Sequence, residues 1–199
     1  MAQDLDAASL SEILPETDWI EDLALRTGVV EIWRQIASEM LWDDIRDVPK
    51  NNKAEAGRAL ITHVRGVTLM ALELCKVALK VQGKAFDHDL LIAACLLHDA
   101  SKPVEYDPDP AVSTPDRPGR AVVSAIGRKL QHGVYASHKI LQLGLPLELA
   151  HLVLTHTHAS NRRGQTWEAA ALFYADFADS DAALDGSAAP MFMQRWKLN

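Results

Sequence analysis

Along most of the chain, apolar residues recur every three or four positions, the period of an amphipathic helix. Ser9-x-x-Glu12 has the form of a capping box and predicts a short first helix. A second helix is predicted over about 21–45, where Leu23, Leu25, Val29, Val30, Ile32, Trp33, Ile36, Met40 and Leu41 form an irregular apolar face. Pro49 and the three polar residues after it break the pattern. A long helix is then predicted over about 56–81, followed by Gly83, with Asp87 placed to cap the next one. That next helix, Leu90 to about Asp99, opens with LLIAACLL and is apolar all round. Such a helix belongs at the centre of a bundle.

Residues 103–119 read as a loop, with Pro103, Pro108, Pro110, Pro115 and Pro118 in it. A stretch this long serves either as an active-site lid or as a tolerated surface insertion. Helical pattern resumes over about 122–143. Gly144 suits a C′ position and Pro146 an N1 position, so a helix is predicted over Leu147–Thr157. Thr166 is placed to cap a last helix, with Glu168 in its first turn and Gly186 ending the helical region. No strand alternation is convincing and there is no internal repeat. The expected fold class is all-α, a compact single-domain helical bundle.

Composition narrows the function. At 199 residues, 48% hydrophobic and 24% charged, the chain has the make-up of a globular protein with a real core. Its 20 Lys+Arg against 27 Asp+Glu give a net charge of -7, which argues against nucleic acid as a partner. The acidic start MAQDLDAASL does not read as a signal peptide, and the run Leu90–Leu97 is too short to span a bilayer. Cys75 and Cys95 lie in apolar helical stretches and are expected to be buried free thiols of a cytoplasmic protein, with a disulfide between them the disfavoured alternative. No P-loop, HExxH or GxSxG pattern is present.

Eight histidines are the uncommon feature: His63, His88, His98, His132, His138, His151, His156 and His158. His98-Asp99 is the sharpest point, because two strongly polar side chains follow eight consecutive apolar residues. Burying both without partners is expensive. A metal ion with further ligands from other helices would satisfy both; so would a hydrogen-bonded Asp–His pair.

His63, His98-Asp99 and Asp176 together resemble the H…HD…D signature of the HD-domain superfamily of metal-dependent phosphohydrolases. The resemblance covers roughly residues 58–184. LLHDASK (96–102) is similar to the HD-x-x-Lys form, LQHGVYASHKIL (130–141) and LVLTHTHAS (152–160) to the segments that carry two extra histidines, and FYADFADSD (173–181) to the terminal Ala-Asp motif. The resemblance implies six metal ligands, His63, His98, Asp99, His132, His156 and Asp176, holding two divalent transition-metal ions (Fe, Mn, Co, Ni or Zn) bridged by Asp99. Asp179 is the alternative to Asp176, one turn away, and His158 the alternative to His156. His138 and His151 are expected at the surface or behind the ligands, and His88 in a loop.

In similar proteins the lysine of HD-x-x-Lys faces the site, so Lys102 is expected to act with Asp99 in catalysis and to bind substrate. His158 and Arg162 are further candidates for substrate binding, and Arg163 can be weighed with Arg162. No Gly-Tyr-Pro follows the histidines, so the cyclic-dinucleotide branch is not supported. The resemblance implies an N-terminal helical part over 1–55, an HD metal-binding domain over 56–185 and a tail over 186–199. It implies hydrolysis of a small phosphorylated metabolite or nucleotide by a metal-activated water. The alternatives are a di-iron oxygenase or related non-phosphate hydrolase or lyase on the same six ligands, and a non-catalytic ligand sensor. The expected partner is a small anionic substrate, with neither nucleic acid nor membrane. A homodimer is a further expectation, the region of Trp19, Trp33 and Trp42 being either its contact or a cap.

Overall fold

The computed structural model describes residues 5–109, 111 and 120–195. Its centre is the apolar run. That run forms α4 (His88–Leu97), capped by Asp87, which accepts from the Leu90 N–H at 3.0 Å. Every residue from Leu91 to Leu97 is buried. At about 1.5–3 kcal/mol for each large apolar side chain removed from water, this helix anchors the core. Around it pack α2 (Leu23–Glu39), α3 (Leu60–Gln82), α7 (Leu147–Thr155), α8 (Trp167–Leu184) and a 3-10 turn over Pro15–Trp19. Next to these, α1 (Ala7–Ile13) packs on α2, and α6 (His132–Gln142) on α7. One core cluster runs from Leu5 to Ala175, so the fold is all-α around a single core. Trp33 is fully buried and its Nε1 donates to the Leu96 carbonyl in the last turn of α4.

Several element boundaries depart from the periodicity. Asp6, not Ser9, caps α1, accepting from the Ser9 N–H at 2.8 Å. α2 stops at Glu39 because Met40 turns extended. Trp42 nevertheless reaches the interior, donating to the Tyr106 carbonyl at 2.7 Å. Its apolar residue class, which suggested more helix, serves the core from an irregular segment. α3 starts at Leu60 because the preceding residues close a loop, the Lys50 N–H donating to the Arg58 carbonyl and the Leu60 N–H to the Val48 carbonyl.

The expectation of no strand fails at one place. β1 (Tyr106–Pro108) pairs antiparallel with β2 (Ala121–Val123), after the short α5 (Lys102–Glu105). Strands of three residues are too short to show alternation. β2 also takes the start of the helix predicted over 122–143, so α6 begins only at His132. Pro110, Pro115 and Pro118 of the predicted loop lie outside the described residues. α7 ends at Thr155, and Pro146 is its N-cap instead of its first residue. Thr166 caps α8 as expected, accepting from the Ala169 N–H. Gly83, Gly144 and Gly186 carry φ of 65, 71 and 72° just past α3, α6 and α8, where a left-handed residue ends a helix.

Cys75 and Cys95 are buried and free. Among the described residues no helix is long and apolar enough to cross a membrane.

At Gly66 the packing of α3 on α8 leaves no room for a side chain: a Cβ would collide with Asp179 Oδ1. Gly66→Ala is therefore expected to destabilise the protein by about 1–3 kcal/mol. A thermal melt checks this, and an unchanged midpoint would contradict so close an approach.

Candidate metal centre

α4 and α7 end in the same way, with a histidine at the C-cap. Each ring folds back on its own last turn. His98 Nδ1 donates to the Cys95 carbonyl and His156 Nδ1 to the Val153 carbonyl, both at 2.6 Å. These bonds satisfy carbonyls that a helix end leaves without partners. They also place the ring proton on Nδ1, so that Nε2 points inward with its lone pair. The C-terminal ends of both helices face one point, and their dipoles favour a cation there.

The other two rings come from helix starts. His63 stands in the first turn of α3, its Nδ1 2.5 Å from Asp179 Oδ2. Arg58 holds that carboxylate from the far side at 2.7 Å. His132 opens α6, and its Nδ1 lies 3.1 Å from Glu105 Oε2. Ser101 ties the His98-Asp99 turn to this helix, donating to the His132 carbonyl at 2.6 Å.

The four Nε2 atoms meet Asp99 in two pairs. Those of His63 and His98 are 3.2 Å apart, and those of His132 and His156 are also 3.2 Å apart. Asp99 Oδ2 lies 3.3 and 3.6 Å from the first pair, and Oδ1 lies 3.1 and 3.6 Å from the second. Asp176 Oδ1 joins the first pair, 3.2 Å from His63 Nε2. The ligand atoms of His63, His98 and Asp99, and those of Asp99, His132 and His156, each lie within 4.8 Å of one another. At this separation the two nitrogens of a pair can share a proton or, with both lone pairs inward, a metal cation. The donors are nitrogen and oxygen with no thiolate, a set suited to divalent transition metals. The residues therefore fit a metal.

Charge at the site is unusually concentrated for a protein interior. Burial opposes ionisation of Asp99, but Lys102, Lys50 and His98 hold its carboxyl well below the usual range. Asp176 is likewise held low against burial by Lys50 and His63. Burial pushes His98 down to about 3, so its ring is neutral at ordinary pH. His132 is pushed down by burial and by Lys102. Lys50 is raised, since the Asp176 and Asp99 carboxylates outweigh its burial.

The structure thus brings His63, His98, Asp99, His132, His156 and Asp176 together. Asp179 stands behind His63 instead of replacing Asp176. Lys102 is buried, its Nζ 3.8 Å from Asp99 Oδ1 and 3.7 Å from Glu105 Oε2. It lines a cavity of about 140 Å³ beside the centre, together with Lys50, Asp99, His132, His158 and Asp176. His158 is exposed, with its ring 5.8 Å from that of Phe177. Arg162 is placed elsewhere, lining a different cavity of about 750 Å³ with Arg163, His151 and Thr166. His138 is exposed on α6, and His88 is the exposed first residue of α4, not a loop residue. Lys50, Glu105 and Arg58 were not singled out from the sequence, and no periodicity or motif marks them.

A family model described as HD domain matches residues 60–183. The match takes in more than half of the chain, and the chain belongs to the HD-domain family. HD domains are all-α, bind divalent metals and are generally metal-dependent phosphohydrolases. No curated protein and no solved structure matches the chain.

Asp179→Ala leaves His63 without its acceptor and Arg58 without its carboxylate. Such partners of metal-bound histidines typically contribute about 10–100-fold in metal affinity. The variant is expected to lose affinity by that factor at the His63 side and to keep it at the His132–His156 side, as read by metal titration. Equal loss at both would contradict the division into two halves.

Proposed function

We propose that the chain is a metal-dependent phosphohydrolase with two divalent ions, acting on a small phosphorylated metabolite or nucleotide. The observation that carries this reading is the pairing of four inward Nε2 atoms on the two oxygens of one buried carboxylate. One carboxylate oxygen faces each pair, so Asp99 would be the residue shared by the two ions. When bound, the ions would lower the pKa of a water between them and offset the charge of a phosphoryl group.

The rest is supplied by the protein. His63, His98 and His156 are oriented by hydrogen bonds at Nδ1, and the Glu105 carboxylate lies beside that of His132. Lys102 presents an ammonium to the cavity as a point charge for a phosphoryl oxygen. His158 stands on the same cavity wall, where it can meet the part of the substrate that remains outside. At about 140 Å³ the cavity is well below the roughly 300–1,000 Å³ of ordinary ligand pockets, which suits a compact anionic group. Cationic side chains and metal charge make an anion the favoured guest, although the whole chain is acidic.

The test is elemental analysis of protein purified without added metal, followed by a panel of phosphate esters with Mn, Co and Ni. Phosphate release is expected. Asp99→Ala is expected to abolish metal binding and to lower turnover by about a thousandfold or more, since it touches both positions. Iron-dependent oxygen uptake without phosphate release would replace this reading by the oxygenase. Full metal stoichiometry in Asp99→Ala would refute the shared ligand.

A further inference from the structure

Lys50 comes from outside the matched family segment and reaches into the centre. It lies just after Pro49, in the loop closed by the Pro49–Ala59 bridge and by the Lys50 N–H donating to the Arg58 carbonyl at 2.8 Å. Its side chain is buried. Its Nζ lies 2.9 Å from Asp99 Oδ2 and 3.3 Å from Asp176 Oδ1, and it contacts His63 Nε2. Those are three of the four ligand atoms on the His63 side. An ion bound to the His63 side would share three of its ligand atoms with the ammonium, and two cations held so close together repel.

We propose that Lys50 is an internal cation that competes for the ligand atoms of the His63–Asp176 metal position and must withdraw before an ion can bind there. The proposal rests on the metal-binding reading above. The two positions are then unequal. On the Asp99–His132–His156 side, among the described residues, Lys102 keeps its Nζ 3.8 Å from Asp99 Oδ1 and is shared with Glu105, and it contacts neither ring. That side loads first. The His63 side loads by exchange, one cation for another on the same carboxylates. The exchange does not require the loop to open. Lys50 itself lines the cavity beside the centre, and rotation about its aliphatic stem moves the ammonium into that space. The displaced ammonium would then face the cavity in which Lys102 already stands.

The consequence is quantitative. A position that is open only about a tenth of the time binds about tenfold more weakly than its intrinsic affinity. Titration of the metal-free full chain with Mn²⁺ or Co²⁺ is expected to show one stronger and one weaker site. Lys50→Met, which keeps the stem and removes the charge, is expected to tighten the weaker site about tenfold or more and to leave the stronger one unchanged. The stronger site thus serves as an internal control for folding. A measurement on the wild-type chain needs no variant: acylation of Lys50 by an acetyl N-hydroxysuccinimide ester, followed by mass spectrometry, is expected to be slow without metal and several-fold faster after loading with two equivalents. Two ions bound with the same affinities in wild type and Lys50→Met, together with unchanged acylation on loading, would overturn the role of Lys50 and leave the metal centre standing. Absence of metal binding by both proteins would overturn the metal reading and this proposal with it.

Discussion

A single buried carboxylate organises this protein. Asp99 sits at the end of the most hydrophobic helix, where an unpaired charge would be costly, and each of its two oxygens faces a separate pair of imidazoles. The helices on either side are placed so that this can happen. α4 and α7 end in C-cap histidines that turn back onto the last turn, and α3 and α6 carry in their first turns the histidines that meet them. Helix ends, with their unsatisfied groups and dipoles, are where a bundle can hold a charge most cheaply.

Orientation at the centre is provided by ordinary helix chemistry on one side and by carboxylates on the other. His98 and His156 use carbonyls three residues back, contacts that any helix end can offer. His63 and His132 have no such carbonyl, because they stand at helix starts, where free N–H groups face out instead. Side-chain carboxylates stand there: Asp179 is hydrogen-bonded to His63 Nδ1, and Glu105 lies 3.1 Å from His132 Nδ1. The close approach of α3 and α8 at Gly66 follows from this need, since Asp179 has to reach across from α8 to the ring of His63.

The sequence reveals different parts of this to different degrees. An apolar run ending in His98-Asp99 is legible because the penalty for burying two polar residues depends only on local composition. The six residues that meet at the centre are legible because they sit in motif segments whose spacing can be compared with a family. Helix ends were less so: α2 stops at Glu39 although its apolar pattern continues, because Trp42 packs from an irregular segment. Asp179 was visible only as a rival to Asp176, since its true partner, His63, is 116 residues away. Arg162 follows the histidine segment closely in sequence, yet the chain beyond α7 carries it to another cavity. Lys50 gave no signal, because a lysine after a proline in a loop has an ordinary surface reading and its partners are 13, 49 and 126 residues away.

The charge balance links folding to the chemistry. Asp99 and Asp176 carry negative charge into the interior, and both are held ionised by nearby cations. In small metal-dependent domains the ion itself provides that balance, and the chain is unfolded without it. Here Lys50 and Lys102 sit beside the carboxylates, so cations of the chain itself supply part of that balance. Rings and carboxylates are thus oriented and kept ionised by groups of the chain. Preorganisation of this kind has a cost for binding, because an incoming ion must compete with cations that belong to the chain. In the proposed function it also has a benefit, because the lysines beside the carboxylates line the cavity, where they would meet an anionic substrate once metal was bound.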